Sequence, residues 1–251
     1  MSAHTGIGEP SRATASAVSE PVPSSPEPGA LDPGGAVGEQ VVRRLREEIS
    51  TGELLPGAKL AEVDTARRLG VSRNTLREAF RLLSRQTLVV HVPNRGVFVA
   101  KPTLANMLDL YRARLILEPA IMRAASPAHP AGAKMRAAVA RARQAAAHGD
   151  WRRVGTENAA FHAAVVQLAG SPSLDAFHDD LMVRLRLVFD MVGDPRRLHE
   201  SYVDSNDRIT AAYEAGDLDG AAERLTDYLE RSRALVIDVY TQQQADAERP
   251  A

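Results

Sequence analysis

The chain of 251 residues contains no cysteine. Disulfide bonds, thiolate zinc sites and cysteine nucleophiles are therefore excluded, and the composition fits a reducing compartment. The sequence also lacks an apolar run long enough to span a membrane, and residues 1–36 lack the apolar centre of a signal peptide. We therefore expect a soluble, cytoplasmic protein with no membrane partner.

Positive charge is concentrated in one short block of an almost neutral chain. The net charge is −1, yet residues 41–101 contain twelve Lys and Arg against six Asp and Glu. Residues 1–40 contain one against five, and residues 102–251 contain eighteen against twenty-one. This distribution predicts a polyanionic partner for residues 41–101 alone.

The first hundred residues divide into a tail and a small domain. Residues 1–36 are rich in Pro, Gly, Ala and Ser and have no apolar periodicity, which predicts a disordered tail. Residues 37–101 then show a helical pattern, a very short strand at Lys59-Leu60 and a short helix over 61–69. A second short helix capped by Ser72 and a hairpin around "PNR" follow. This order of elements predicts a winged helix-turn-helix domain.

The rest of the chain has a helical pattern. Clusters of Gly, Pro, Ser and Asp divide residues 103–241 into six helices. The fold class is therefore mainly α, with an all-α six-helix bundle domain over 102–241 and a disordered tail over 242–251.

Four arginines follow one another at four-residue steps in "GVSRNTLREAFRLLSRQ", residues 70–86. Because four residues make just over one helical turn, they form a basic stripe opposite an apolar face. A solvated amphipathic helix is one interpretation of the stripe. The other is a DNA recognition helix, whose N-terminal turns meet base edges in the major groove. The four residues are Arg73, Arg77, Arg81 and Arg85.

The recognition-helix interpretation assigns a role to each exposed residue near the start of the helix. Arg73 and Arg77 can each donate two hydrogen bonds to guanine, and Asn74 can pair in the same way with adenine. The hydroxyl groups of Ser72 and Thr75 suit phosphate contacts.

Residues farther from the start of the helix have less specific roles. Arg81 and Arg85 fit either phosphate steering or a structural ion pair. Arg95, beside Gly96 at the hairpin tip, can enter a minor groove, although a plain turn residue would look the same.

The segment "LREEISTGELLPGAKLAEVDTARRLGVSRNTLREAFRLLSRQTLVVHVPNRGVFV" resembles the DNA-binding domain of the GntR family of bacterial transcription regulators. The resemblance rests on "PGAKL", "LGVSRNTLREA" and "PNRGVFV", in that order. It implies that Arg73, Asn74, Arg77 and the wing residue Gly96 occupy DNA-contacting positions. Many members have an arginine early in the second helix, where this chain has Val63, so the resemblance does not support a phosphate or base contact at this position.

Residues 104–240 resemble the effector-binding FCD domain of the FadR subfamily, through "RLILEP", "ENAAFHAAVVQLAGSPSL" and "NDRITAAYEAGD". The resemblance implies a metal held by an Asp or Asn and three histidines. Asn158 and His162 match the first two ligand positions, but Asn206 and Tyr228 stand where histidines are expected. Asparagine is a weak neutral ligand and un-ionised tyrosine binds such metals poorly, so we expect no metal and no other cofactor.

The same positions can instead form an effector pocket. By resemblance, Arg114 lies near the ligand, and arginine can bind a carboxylate through paired hydrogen bonds. Asn158, His162, Asn206 and Tyr228 would add neutral polar partners. The alternative is structural, with His162 an ordinary core histidine and Arg114 part of a surface ion pair.

These features predict a homodimeric, ligand-responsive transcription regulator. We expect a repressor that binds a palindromic, double-stranded DNA operator and is released by a small, carboxylate-bearing effector. One alternative is a metal-dependent enzyme on the helical domain, but the sequence has no HExxH, GxSxG or P-loop motif. Another is an architectural DNA-binding protein without a ligand, for which polar residues inside a bundle would serve no purpose.

Overall fold

The computed structural model describes residues 37–247, so the tail predicted over 1–36 lies outside the described residues. The N-terminal domain contains three helices and three strands. They are α1 (Val37–Ser50), β1 (Lys59–Leu60), α2 (Glu62–Arg68), α3 (Arg73–Arg85), β2 (Val89–Val92) and β3 (Gly96–Val99).

The tight turn between α2 and α3 is built as the sequence predicts. Gly70 has a φ of 66°, the left-handed conformation that suits glycine just after a helix end. Ser72 is the N-cap of α3, and its side chain accepts a hydrogen bond from the backbone N–H of Thr75. Leu76 and Leu83 on the inner face of α3 are fully buried, so the opposite face is presented to solvent.

The wing is a three-stranded antiparallel sheet with the strand order β1-β3-β2. Val92 pairs with Gly96 next to the hairpin turn, and Lys59 of β1 pairs with Phe98. Asn94 in the turn has a φ of 61°, a conformation that asparagine tolerates better than most residues. The sheet fixes the hairpin tip beside α3.

Six helices form the C-terminal domain, and each begins or ends at a breaker identified in the sequence. The bounds are α4 (Leu104–Ala124), α5 (Ala131–Ala147), α6 (Trp151–Gln167), α7 (Pro172–Val192), α8 (Pro195–Glu214) and α9 (Leu218–Ala247). None of the helices described between residues 37 and 247 combines the length and hydropathy needed to cross a bilayer.

The last helix is longer than predicted. We expected the helical domain to end at residue 241, but α9 continues to Ala247, so a tail beginning at 242 is wrong for residues 242–247. The segment "QQQADA" contains neither glycine nor proline, and nothing in it stops a helix that has already formed. The last four residues lie outside the described part of the chain.

Helix α7 packs against the N-terminal domain as well as within its own. Its Leu187 is buried in the core of the N-terminal domain, together with Leu45 and Ile49 of α1. Asp180 of α7 pairs with Arg46 of α1 at 2.7 Å. The two domains therefore share an apolar contact flanked by an ion pair.

A buried carboxylate joins α1 to α2. The side chain of Glu48 is 3% exposed, and both of its oxygens accept hydrogen bonds from Arg68, at 2.5 and 2.9 Å. Arg44 donates to it as well, at 3.2 Å. These hydrogen bonds hold α2 against α1. Because α2 leads into the turn before α3, they also help to position α3.

We predict that Glu48→Ala lowers the free energy of unfolding by about 2 kcal/mol, because it removes charge-assisted hydrogen bonds at a buried position. The neighbouring Glu47 is 64% exposed, so Glu47→Ala is the matched control and should change stability by less than about 0.5 kcal/mol. Urea unfolding followed by circular dichroism measures both. Equal effects of the two substitutions would show that the Glu48 cluster is not structural.

Candidate functional site

The exposed face of α3 begins with two arginines held by one carboxylate. The side chains of Arg73 and Arg77 are 59% and 53% exposed, and the Nε of each lies 2.9 Å from Oε1 of Glu62. The hydrogen bond from Arg73, together with that from Arg77, lowers the pKa of Glu62. Glu62, the first residue of α2, therefore holds the two guanidinium groups side by side.

The other residues predicted near the start of α3 also lie on its accessible side. Asn74 is exposed. The hydroxyl groups of Ser72 and Thr75 lie 2.8 Å apart and hydrogen-bond to each other, while the Ser72 oxygen also caps the helix. Ser72 therefore has a structural role whether or not it contacts phosphate.

The remaining basic residues lie farther along the same surface. Arg81 pairs with Glu78 one turn earlier, at 2.5 Å, which is the structural ion pair that the sequence left open. Arg85 is exposed at the end of α3. Arg95 lies at the wing tip, with its guanidinium 5.9 Å from the centre of the Phe98 ring, and the adjacent Gly96 has a φ of 106°.

A groove of about 370 Å³ separates α3 from the sheet. Its lining is mixed, with apolar residues such as Phe80 and Val89, the acidic Glu62, and the basic Lys59, Arg77 and Arg81. The three basic side chains are suited to contacts with phosphate groups.

The second site is a cluster of polar side chains inside the helical domain. Arg114 and Glu118 of α4 are 1% and 0% exposed, and Nε of Arg114 lies 2.7 Å from Oε1 of Glu118. His162 of α6 donates through Nδ1 to the other oxygen of Glu118, also at 2.7 Å. His178 of α7 approaches the same carboxylate at 3.9 Å. Three helices thus meet at one buried carboxylate.

The charges in this cluster balance internally. Burial alone would raise the pKa of Glu118, but Arg114 and His162 reverse this and hold it well below its ordinary value. Burial lowers the pKa of His162, and it lowers that of His178 to about 4, so both rings are neutral at pH 7. One positive guanidinium therefore faces one negative carboxylate.

Asn158, Asn206 and Tyr228 are joined to each other by hydrogen bonds. Oδ1 of Asn158 accepts from Nδ2 of Asn206 at 2.7 Å and lies 3.1 Å from the Tyr228 hydroxyl. The Tyr228 ring packs 4.9 Å from the ring of His162, which connects this network to Glu118. The structure therefore brings together all five residues predicted for the effector site.

This network does not fit a divalent metal. The Asn158 oxygen, the first ligand implied by the FCD resemblance, already accepts hydrogen bonds from its neighbours. His162 contributes its Nδ1 to Glu118. Within residues 37–247, no group of three or more His, Asp or Glu side chains has an arrangement that could hold a metal ion.

The structure rules out the surface ion pair considered for Arg114. The side chain is 1% exposed, and its Nε donates to Glu118, which balances its charge. Glu118 was not among the predicted site residues, although it lies four residues after Arg114 on one helix, the spacing at which opposite charges meet.

Four polar atoms in the cluster have no hydrogen-bond partner among the described residues. They are Nη2 of Arg114, Nε2 of His162, Nε2 of His178 and Oδ1 of Asn206. Unsatisfied buried polar atoms are costly, so such atoms mark places where a ligand or water gains by binding. These atoms include at least one donor and one acceptor, and the cluster that contains them has no net charge.

Comparisons with known proteins agree with both parts of the structure. The family model described as "Bacterial regulatory proteins, gntR family" matches residues 37–99, and that of the FCD domain matches residues 109–231. A solved structure described as a transcriptional regulator GntR from Rhodococcus sp. RHA1 is 36% identical with a TM-score of 0.76. The match covers 80% of this chain and 97% of that one.

Two curated proteins match over most of their length. The "Probable D-xylose utilization operon transcriptional repressor" of Paenarthrobacter nicotinovorans is 29% identical over 197 residues, which cover 77% of this chain and 85% of that protein. The "HTH-type transcriptional regulator McbR" of Escherichia coli (strain K12) is 27% identical over 208 residues, covering 80% and 93%. Both are named as transcription regulators.

The neutral state of His178 predicts a pH dependence of stability. Its pKa is about 4 in the folded protein and about 6.5 when unfolded, so between these values only the unfolded chain binds the proton. Stability should therefore fall as the pH falls through this window. This residue should contribute about 1.5 kcal/mol of the loss between pH 6.5 and 5.

Urea unfolding at pH 6.5 and 5 tests this dependence. His178→Gln should lose less stability than the wild type, whereas the exposed His91→Gln is the control and should behave as the wild type does. An unchanged pH slope in His178→Gln would contradict a neutral, buried His178.

Proposed function

Because the chain belongs to the GntR family of bacterial transcription regulators and carries an FCD domain, we propose that it represses transcription as a homodimer bound to a palindromic operator. Its domains and relatives indicate a regulator rather than an enzyme. The main support for this proposal is the exposed pair of Arg73 and Arg77, whose guanidinium groups are both bound by Glu62. Since a bacterial regulator meets its DNA in the cytoplasm, we place the protein there.

The pair is suited to reading bases. Arginine recognises guanine through two parallel hydrogen bonds, and a guanidinium held in place loses less side-chain entropy on binding. Asn74, exposed between the two arginines, can recognise adenine in the same groove. Ser72 and Thr75 lie where the helix begins and can contact phosphate.

The wing and the rest of the stripe would contact the DNA backbone. Arg81 lies along the groove between α3 and the sheet, where a phosphate can replace Glu78 as its partner. Arg95 and Gly96 at the wing tip can approach the minor groove, because the glycine leaves the backbone accessible.

A palindromic operator requires two recognition helices related by a two-fold axis. Each chain contributes one α3, so a homodimer is the smallest assembly that reads both half-sites. We assign the dimer contact to the helical domain, which leaves the DNA-reading face of each N-terminal domain free.

We propose that the effector site is the buried cluster around Glu118. Arg114, Asn158, His162, Asn206 and Tyr228 contribute to it, and its unpaired atoms are donors and acceptors without net charge. An anionic effector would bring an uncompensated charge into the interior, which is costly. The cluster therefore favours an uncharged effector rich in hydroxyl groups over the carboxylate expected from the sequence.

The main test is a mutational series on the operator. Arg73→Ala and Arg77→Ala should each weaken binding by about 1–3 kcal/mol and relax sequence preference. Arg81→Ala is the matched control on the same helix, and it should weaken all sequences alike and flatten the salt dependence. Gel shifts on a selected operator and on random DNA measure these effects. Equal losses on both DNAs for all three variants would remove the base-reading assignment.

The effector assignment is tested with pairs of ligands that differ mainly in charge. The Paenarthrobacter relative is named for D-xylose utilization, so sugars and their aldonic acids are suitable probes. In each pair, the neutral sugar should raise the melting temperature of the full-length protein more than the corresponding aldonic acid does. Asn206→Ala should abolish this rise. A rise in melting temperature that only the acids produce, and that Asn206→Ala abolishes, would instead indicate an effector with a carboxylate.

A further inference from the structure

A separate cavity lies where the two domains meet. It has a volume of about 330 Å³, is open to solvent on one side, and is lined by the turn after α1, the start of α6, the end of α7 and the start of α8. Gly52 of the N-terminal domain lines it on one side, and Arg152 and Arg186 of the helical domain line it on the other. None of the residues assigned to the buried effector cluster contributes to it.

Two guanidinium groups converge in this cavity. Nη2 of Arg152 donates to the backbone carbonyl groups of Thr51 and Gly52, at 3.0 and 3.2 Å. Gly52 has a φ of +75°, and a Cβ atom added to it would lie 2.7 Å from Nη2 of both Arg152 and Arg186. The two positive groups therefore lie close to one point of the backbone.

The acidic side chains do not balance these two charges. Asp190 lines the cavity and binds Arg186, with Nη2 of the arginine 3.0 Å from Oδ1. Within residues 37–247, no carboxylate forms an ion pair with Arg152. Burial raises the pKa of Asp190, and burial lowers that of His199 to about 4, with Arg186 adding to the latter effect. The cavity therefore has a net charge of at least about +1 at pH 7.

The rest of the wall is suited to an apolar group with one polar contact. Phe189 and Leu198 line the cavity, and the Phe189 ring packs edge-on against His199, with ring centres 5.7 Å apart. His199 is 3% exposed, and its Nδ1 has no hydrogen-bond partner among the described residues. His199 lines the cavity, so its unsatisfied nitrogen belongs to a residue of the proposed site.

We propose that this junction cavity binds a small monocarboxylate with an apolar body. Its carboxylate accepts hydrogen bonds from Arg152 and Arg186, and its apolar part contacts Phe189 and Leu198. Arg152 also donates hydrogen bonds to the backbone at Thr51 and Gly52. A ligand bound to Arg152 would therefore affect the contact between the two domains. The site is distinct from the proposed effector cluster and does not depend on it.

The probe is benzoate, whose flat ring fits the aromatic wall, with benzamide as its uncharged counterpart. The full-length protein is titrated with each at constant ionic strength, without DNA, and binding is followed by ligand-observed NMR. Benzoate should bind and benzamide should bind at least about tenfold more weakly, as expected for the loss of a charge-assisted pair.

Substitutions locate the binding. Arg152→Gln and Arg186→Gln should each raise the Kd for benzoate about tenfold. Leu55→Trp, at a half-exposed position on the cavity wall, should also weaken binding by narrowing the space. Arg153→Gln is the matched control, since Arg153 is adjacent in sequence but pairs with Glu157, and its Kd should not change.

Three results would overturn the proposal. They are no binding of benzoate, equal binding of benzamide, and an unchanged Kd in Arg152→Gln. Circular dichroism melting checks that each variant is folded, and the exposed Arg152 serves as the decisive position if Arg186→Gln is unstable, because that change leaves Asp190 unpaired. Asn206→Ala should bind benzoate as the wild type does, which separates this site from the effector cluster.

Discussion

The carboxylate of Glu118 sets the chemistry of the helical domain. A buried negative charge is tolerated only when nearby groups compensate for it, and here Arg114, His162 and His178 surround it from three helices. The compensation comes entirely from within the chain. A metal at this place would compete with hydrogen bonds already made, and an anionic ligand would bring a charge that nothing nearby neutralises.

The two ligand sites that we propose therefore differ in net charge. The interior cluster pairs the guanidinium of Arg114 with the carboxylate of Glu118, so it has no net charge, although several of its donors and acceptors are unpaired. The junction cavity has two guanidinium groups against one carboxylate. If both are occupied in the cell, the protein responds to two chemically different small molecules, one uncharged and one acidic.

Helix α7 connects these sites to the DNA-binding domain. It places His178 beside Glu118, Asp180 against Arg46 of α1, and Leu187 in the core of the N-terminal domain. Arg186, one residue before Leu187, lines the junction cavity. A movement of α7 would therefore change contacts at both ligand sites and at α1.

Much of the fold could be predicted because its signals are local. Breakers such as Gly170-Ser171-Pro172 and the N-cap Ser72 act through neighbouring residues, so they define helix ends without knowledge of the tertiary structure. The end of α9 was missed because no such breaker follows residue 241.

The contacts of the site residues could likewise be predicted only where they are local in sequence. The pair of Arg114 and Glu118 has a local spacing that could have been recognised. The contacts of Glu62 with Arg73 and Arg77 could not, since they depend on how α2 packs beside α3. The junction cavity is likewise formed by segments distant in sequence, and no spacing pattern indicates it.

The central claim is that the charges around Glu118 balance within the chain and that the polar network beside it does not fit a metal. Elemental analysis of full-length protein purified without a chelator tests it most directly. Melting temperatures with and without EDTA are measured on the same sample. The account predicts no stoichiometric zinc, nickel or manganese and the same melting temperature in both conditions. One metal ion per chain, removed by EDTA with a loss of stability, would contradict it.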